Sequence, residues 1–285
     1  MKKFILSALS VSLLFACEKK EIEELSVQAT KTSDVIIRDN LLLDGTFETG
    51  DLKQFDVLEA APHELVVKPN YRRRGTKACR VELNSNEPNV GGSRFRAELV
   101  QYGAGGPNKE QERWFGFSMR VPEDWRVIEN TKSLDIFFQI HDRPDECESY
   151  RTPPLSMFIS KNMFQANILS DSNPCTKGVT PKGSGTTSKT VLNTPLIKGS
   201  WVDWVIHVKW SYKNDGLLEI WHNGKKVTTY RGPIGYNDKN SMYLKMGLYH
   251  IGNGDSWPDG LKRRVLYLDE IRMGGPKANY SDVKI

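Results

Sequence analysis

From Trp201 to Trp210 the side chains alternate without a slip. Val202, Trp204, Ile206, Val208 and Trp210 fall on one side, and Trp201, Asp203, Val205, His207 and Lys209 on the other. In a strand, residues i and i+2 share a face, so this stretch is a β-strand with one wholly apolar face. The same habit recurs in Trp114–Val121, Leu134–His141, Leu155–Ile159 and Arg264–Met273, with Gly, Pro, Asn and Asp clusters between the runs. Leu217–Trp221 and Lys225–Tyr230 are separated by His222-Asn223-Gly224, and Asn-Gly between two such runs is a hairpin signal because both residues tolerate positive φ. No segment sustains a 3.6-residue period. One clean apolar face per strand is what antiparallel sheets show when they pack face to face. The expected fold is therefore all-β: a β-jelly-roll sandwich of two antiparallel sheets.

The N-terminus belongs to a different class. Met1-Lys2-Lys3 is a basic start, Phe4–Phe15 is apolar and too short to span a bilayer, and Leu14-Phe15-Ala16-Cys17 puts a small residue before a cysteine. This resembles the lipobox of bacterial lipoproteins, which implies lipidation at Cys17. The expected organisation is a signal peptide over 1–16, a charged, flexible tether over 17–34 and one domain over 35–285. The resemblance implies an exported lipoprotein at the outer membrane or cell surface of a Gram-negative bacterium. The formal charge of +5 falls to +3 once Lys2 and Lys3 leave with the leader. A mildly basic body suits an acidic polymer as partner; a nucleic-acid partner is not expected, and a monomer is.

Three further stretches place chemistry on one strand face. Arg94, Arg96 and Glu98 share a side opposite Phe95, Ala97 and Leu99; Gln139 and His141 share a side; Tyr243, Lys245, Gly247 and Tyr249 lie opposite Leu244, Met246 and Leu248. Such a face is suited to holding an anion and moving a proton. Gly247 inside a strand weakens it and makes sense where a sugar approaches the backbone. Arg143 follows the Gln-Ile-His stretch and is a candidate subsite residue. Each piece alone has a plain structural reading: an Arg–Glu surface pair, a satisfied strand-end histidine, solvent-facing Lys and Tyr.

Taken in order, Arg96-Ala97-Glu98-Leu99, Gln139-Ile140-His141 and Tyr243-Leu244-Lys245-Met246-Gly247-Leu248-Tyr249 resemble the three sequence blocks of jelly-roll polysaccharide lyases. The surroundings, including Gly199–Trp204 and Leu266–Ile271, are similar to the heparin lyase I and glucuronan lyase group. The resemblance implies β-elimination on an anionic, uronate-containing polysaccharide. In that chemistry Arg96 and Gln139 would neutralise the uronate carboxylate. His141 and Tyr249 would share the base and acid roles, with their division left open. Lys245, Arg94, Arg143 and Tyr243 would bind substrate, and Glu98 would fix an arginine. No organic cofactor or catalytic metal is expected. Asp44, Glu48 and Asp269 are candidates for a structural Ca²⁺. After Tyr249 the chain reads His250-Ile251, where alginate-type blocks carry Asn-Gln, and Ala97 stands where they carry Ser or Thr. Which uronate polymer is cleaved thus stays open. The resemblance places the jelly roll among concanavalin-like sandwiches, and the other class compatible with that fold is a non-catalytic surface glycan-binding concanavalin-like lipoprotein. A glycoside hydrolase would need two carboxylates about the bond, and the Glu-x-Asp-x-x-Glu strand that carries them in hydrolases of this fold is absent.

Four cysteines are present. Cys147 and Cys175 lie in polar loop segments and are free to pair in an exported protein. Cys79, in an alternating strand, reads as a buried thiol. The stretch Asp171–Thr194, rich in Ser, Thr, Gly and Lys, reads as a long loop over the binding face.

Overall fold

Alternation with one apolar side has one cheap solution, two sheets laid apolar face to apolar face. The computed structural model has that arrangement. It describes residues 39–88, 90, 95–128, 133–178, 186–252, 257 and 260–285, and residues from Asn40 onward form one compact unit. The leader, Cys17, the tether and Arg94 lie outside the described residues.

The first sheet runs, edge to edge, β13 (Lys225–Arg231), β12 (Leu217–His222), β11 (Trp201–Lys209), β6 (Glu112–Arg120), β16 (Arg263–Gly274), β4 (Lys77–Asn84) and β3 (Leu65–Pro69), with β1 (Leu41–Gly45) also on β16. The second runs β10 (Thr187–Pro195), β9 (Met163–Asp171), β8 (Leu155–Ser160), β7 (Leu134–His141), β15 (Tyr243–Ile251), β5 (Arg96–Tyr102) and β2 (Val57–Glu59). All these pairings are antiparallel. The exception is off the path, where β14 (Gly235–Tyr236) lies parallel to β9. At the centre of each sheet the neighbours are far apart in sequence, β16 between β6 and β4 and β15 between β7 and β5, as in a jelly roll. Among the described residues one short helix, α1 (Tyr280–Val283), is closed by a capping box from Asn279. No helix among the described residues is long and apolar enough to cross a membrane.

The core is the set of inward faces. Trp204 and Trp210 of the β11 stretch have no exposed surface. The two sheets meet through aromatic pairs: Phe115 on β6 lies 5.6 Å from Phe138 on β7, and Trp204 lies 6.3 Å from Phe137. Each large side chain so buried contributes about 1.5–3 kcal/mol relative to exposure. The β12–β13 hairpin turns on Asn223 and Gly224 at φ 50° and 78°, as the Asn-Gly signal requires.

One expectation fails in this part of the molecule. Residues 187–195, taken with the loop after Asp171, form β10, paired along its length with β9. Their Ser/Thr/Lys-rich composition is that of a solvent-facing edge strand: Thr187, Ser188, Lys189 and Thr190 are all exposed while Leu192 packs inward. Cys147 and Cys175 are joined as a disulfide, and Cys79 is buried and free, its thiol pushed up to about 12 by burial.

Candidate active site

The second sheet supplies the site because its middle strands bring the three sequence blocks into register. β15 lies between β5 and β7, so the outward positions form cross-strand rows. Tyr102, Tyr243 and His141 make one row; Val100, Lys245, Gln139 and then Ser156 of β8 make the next. Glu59, Glu98 and Gly247 make a third, and Arg96, Tyr249 and Ile136 a fourth. Cross-strand neighbours stand about 4.5–5.5 Å apart at Cβ. Blocks about forty and a hundred residues apart in the chain therefore become one surface.

Gly247 has a different reason for being glycine than a sugar's approach. Its φ is 155°, and a Cβ there would stand 2.0 Å from the Ala97 carbonyl oxygen and 2.9 Å from Glu98 Cα. The neighbouring strand, not a ligand, excludes the side chain.

Charges on this face are tied together. The Gln139 amide donates to Glu98 Oε1 at 2.5 Å, and Arg96 Nε lies 3.3 Å from Glu98 Oε2. Arg96 Nη1 and Lys245 Nζ both donate to Glu59 Oε2, at 3.2 and 2.7 Å. The Arg96 guanidinium also lies 4.1 Å over the Tyr249 ring. Burial pushes the Glu98 carboxyl up, against the opposing pull of Lys245 and Arg96. Burial pulls Arg96 down, but Glu98, Tyr249 and Glu59 more than compensate and hold its pKa above the usual value. Glu98 thus contacts both Arg96 and Gln139 from one carboxylate.

His141 is oriented from one side. Its Nδ1 hydrogen-bonds the Asp142 carbonyl oxygen at 3.1 Å, with Asp142 Oδ1 also at 3.1 Å. Both partners accept only, so Nδ1 carries a proton, and in the neutral ring the lone pair is then at Nε2. Behind it, Arg151 is surrounded by three carboxylates: Asp142 at 3.0 Å, Glu148 at 2.7 Å and Asp238 at 2.5 Å. One guanidinium cannot neutralise three acids. Burial pushes Asp238 up to about 7, while hydrogen bonds from Arg151 and the Asp145 and Thr176 amides outweigh burial and hold Glu148 low.

The loop over residues 142–154 covers this row. Tyr150 stacks on the His141 ring at 4.3 Å, and its hydroxyl meets that of Tyr243 at 3.1 Å. Burial and this hydrogen bond push the Tyr243 phenol up. Arg143 lies 4.5 Å over the Tyr102 ring. The Cys147–Cys175 disulfide ties the loop to the segment after β9. Arg96, Gln139, His141, Tyr150 and Tyr249 line one groove of about 900 Å³, open solvent included; Glu59, Arg143, Tyr150 and Tyr243 line its neighbour.

The described candidates Arg96, Glu98, Gln139, His141, Arg143, Tyr243, Lys245 and Tyr249 are therefore gathered on one face. Glu59, Asp142, Arg151 and the stacking of Tyr150 on His141 were missed. Glu59 sits on a three-residue edge strand with no motif, and the others lie in an irregular loop where no periodicity points. His207 and Lys209 belong to the other sheet. His207 is bonded by Glu112 at 2.8 Å and Glu219 at 3.0 Å and stacks on Trp114. Arg73 pairs with Asp203 and Tyr71 stacks on Tyr267, also on that sheet. Trp257 packs against Phe95, and His250 is buried against Asp135 at 2.7 Å.

The Ca²⁺ candidates are not assembled as expected. Glu48 accepts from the Thr76 and Lys77 amides, Asp269 from those of Arg73 and Arg74, and Asp44 lies beside Arg272. Among the described residues, the group of His, Cys, Asp or Glu side chains within metal reach is instead His63, Glu64 and Glu87.

Known proteins agree with this architecture. Residues 47–272 match the model of a family described as polysaccharide lyase. An endo-β-1,4-glucuronan lyase from the fungus Trichoderma reesei superposes with a TM-score of 0.68 at 19% identity, over 86% of this chain and 98% of that one. An alginate lyase from Aplysia kurodai gives 0.54 at 11% identity, over 83% and 99%. One from a Chlorella virus gives 0.52 at 13% identity, over 83% and 100%. No curated protein sequence matches the chain. With the family match spanning most of the jelly roll, the chain belongs to the polysaccharide lyase family.

Proposed function

We propose that this lyase cleaves a uronate-containing polysaccharide by β-elimination in the groove on the second sheet. The observation that carries the reading is the convergence of Arg96, Gln139, His141 and Tyr249 on that groove. The C5 proton of a uronate is weakly acidic while its carboxylate is charged. Arg96 and the Gln139 amide, both held by Glu98, meet that carboxylate and stabilise charge spreading into it. His141 Nε2, with Nδ1 committed to Asp142, takes the C5 proton. The C4–O4 bond breaks as the C4=C5 bond forms, and the Tyr249 hydroxyl protonates the departing O4. Tyr243 and Tyr150 give flat surfaces beside His141 for a sugar ring. The substrate is an anionic polymer of the class named for the structural neighbours, glucuronan or alginate. Lipidation at Cys17 would tether the catalytic domain to the membrane that faces this polymer.

The test is ultraviolet absorbance of the unsaturated product while the purified protein acts on a panel of uronate polysaccharides. Absorbance growing on one polymer, and lost in His141→Ala and Tyr249→Phe, is the expected result. Activity surviving both substitutions sinks the assignment. Tight binding with no product on any polymer would favour a glycan-binding role instead.

A further inference from the structure

A second cluster lies at the edge of the other sheet, away from the groove. A turn closed by the Glu64 amide on the Ala61 carbonyl precedes β3 and brings His63 and Glu64 to Glu87, which follows β4. Glu64 has no exposed surface and Glu87 is only 3% exposed. One oxygen of each carboxylate is spent locally. Glu64 Oε2 accepts from the Ala61 amide, and Glu87 Oε1 from the Asn84 amide at 2.6 Å and its side chain at 2.9 Å. The other oxygens turn to each other's side of the cluster. Glu87 Oε2 meets His63 Nε2 at 2.9 Å, and Glu64 Oε1 is buried with no hydrogen-bond partner among the described residues.

Two buried carboxylates side by side cannot both stay ionised without a counter-charge. A shared proton is one solution; a cation is the other. One ligand atom from each of His63, Glu64 and Glu87 lies within 4.8 Å of the other two. A tetrahedral Zn²⁺ with ligands at about 2.0–2.1 Å sets them about 3.3 Å apart, so closure needs only small side-chain movements. His63 is exposed and leaves a way in. We infer that His63, Glu64 and Glu87 form a site for a divalent transition-metal ion of the Zn²⁺ type. One imidazole and two carboxylates complete three positions, and water takes the fourth. The imidazole nitrogen distinguishes it from the all-oxygen sets that suit Ca²⁺. By bridging the turn before β3 to the end of β4, the ion would fasten the edge of the first sheet.

The experiment titrates chelator-treated protein with Zn²⁺ in a calorimeter and follows its thermal midpoint. Wild type should bind one ion per chain and melt higher as Zn²⁺ rises above Kd. His63→Ala, at an exposed position, and Glu64→Gln, of nearly the same shape, should each weaken binding about tenfold or more and abolish the shift. If Glu64→Gln does not fold, His63→Ala decides. Absence of stoichiometric binding, or binding and midpoint shifts unchanged in His63→Ala, overturns the site. So does an equal shift with Ca²⁺ that ignores His63→Ala.

Discussion

His141 and His207 both stand on the outward face of an alternating strand, one on each sheet, and both touch carboxylates and aromatic rings. His207 has each nitrogen taken by a glutamate and its ring covered by Trp114. His141 is held at Nδ1 alone, and among the described residues nothing bonds its Nε2, which belongs to a ring lining an open groove. The contrast extends to the strands around them. On the first sheet His207 sits inside a run of paired charges, Glu112, His207, Glu219 and Lys226, none of which lines either groove. On the second, Glu98 and Glu59 hold Arg96, Gln139 and Lys245 in a network that borders empty space. A polar strand face becomes a site when its neighbours orient the groups beside a groove that a substrate can enter.

The largest effect that would break this comparison is on activity. His141→Ala should cost about 100- to 10,000-fold in kcat on the polymer that is cleaved. His207→Ala should leave kcat within about twofold while lowering stability by about 1–3 kcal/mol, because Glu112 and Glu219 lose their common hydrogen-bond partner. Equal losses of kcat would show the two faces to be equivalent. Tyr249→Phe should cost kcat on the same scale as His141→Ala with little change in the unfolding midpoint, since the ring that carries Arg96 remains.

Two smaller effects sharpen the comparison. Replacing Cys147 and Cys175 by Ser should destabilise the fold by about 2–4 kcal/mol in denaturant titration. It should also lower kcat, since the loop bearing Tyr150 is pinned there; His207 on the far sheet should feel nothing, visible as an unchanged His207 resonance in NMR. The smallest effect is on pH dependence. Asp238 has a folded pKa of about 7, above its ordinary 3.8. The folded state therefore holds its proton more tightly than the unfolded chain does. Its contribution favours folding most at low pH and declines as pH rises from about 4 to about 7. Asp238→Asn should flatten that decline in chemical unfolding measured across the window. An unchanged slope would show that the three acids around Arg151 share the charge differently.

Much of this was legible in the residues. The parity of Arg96 and Glu98, of Gln139 and His141, and of Tyr243, Lys245 and Tyr249 held because a strand has a period of two wherever it sits. Composition misled at 187–195, where polarity marked an edge strand and not a loop. It was silent on Glu59, which matters only because β2 pairs with β5. Gly247 was visible as an anomaly, but its cause, the Ala97 carbonyl across the strand boundary, was not.

The sequence by itself determined the fold class, the inward and outward sides of each strand and the residue types able to hold an anion and move a proton. All of these follow from local backbone geometry and side-chain chemistry. Only the tertiary structure decided that β15 lies between β5 and β7, that Asp142 orients His141 while two glutamates close off His207, and that His63, Glu64 and Glu87 meet. Those outcomes depend on strand order and loop paths, which are set by packing energy summed over the whole core and leave no mark at any one position.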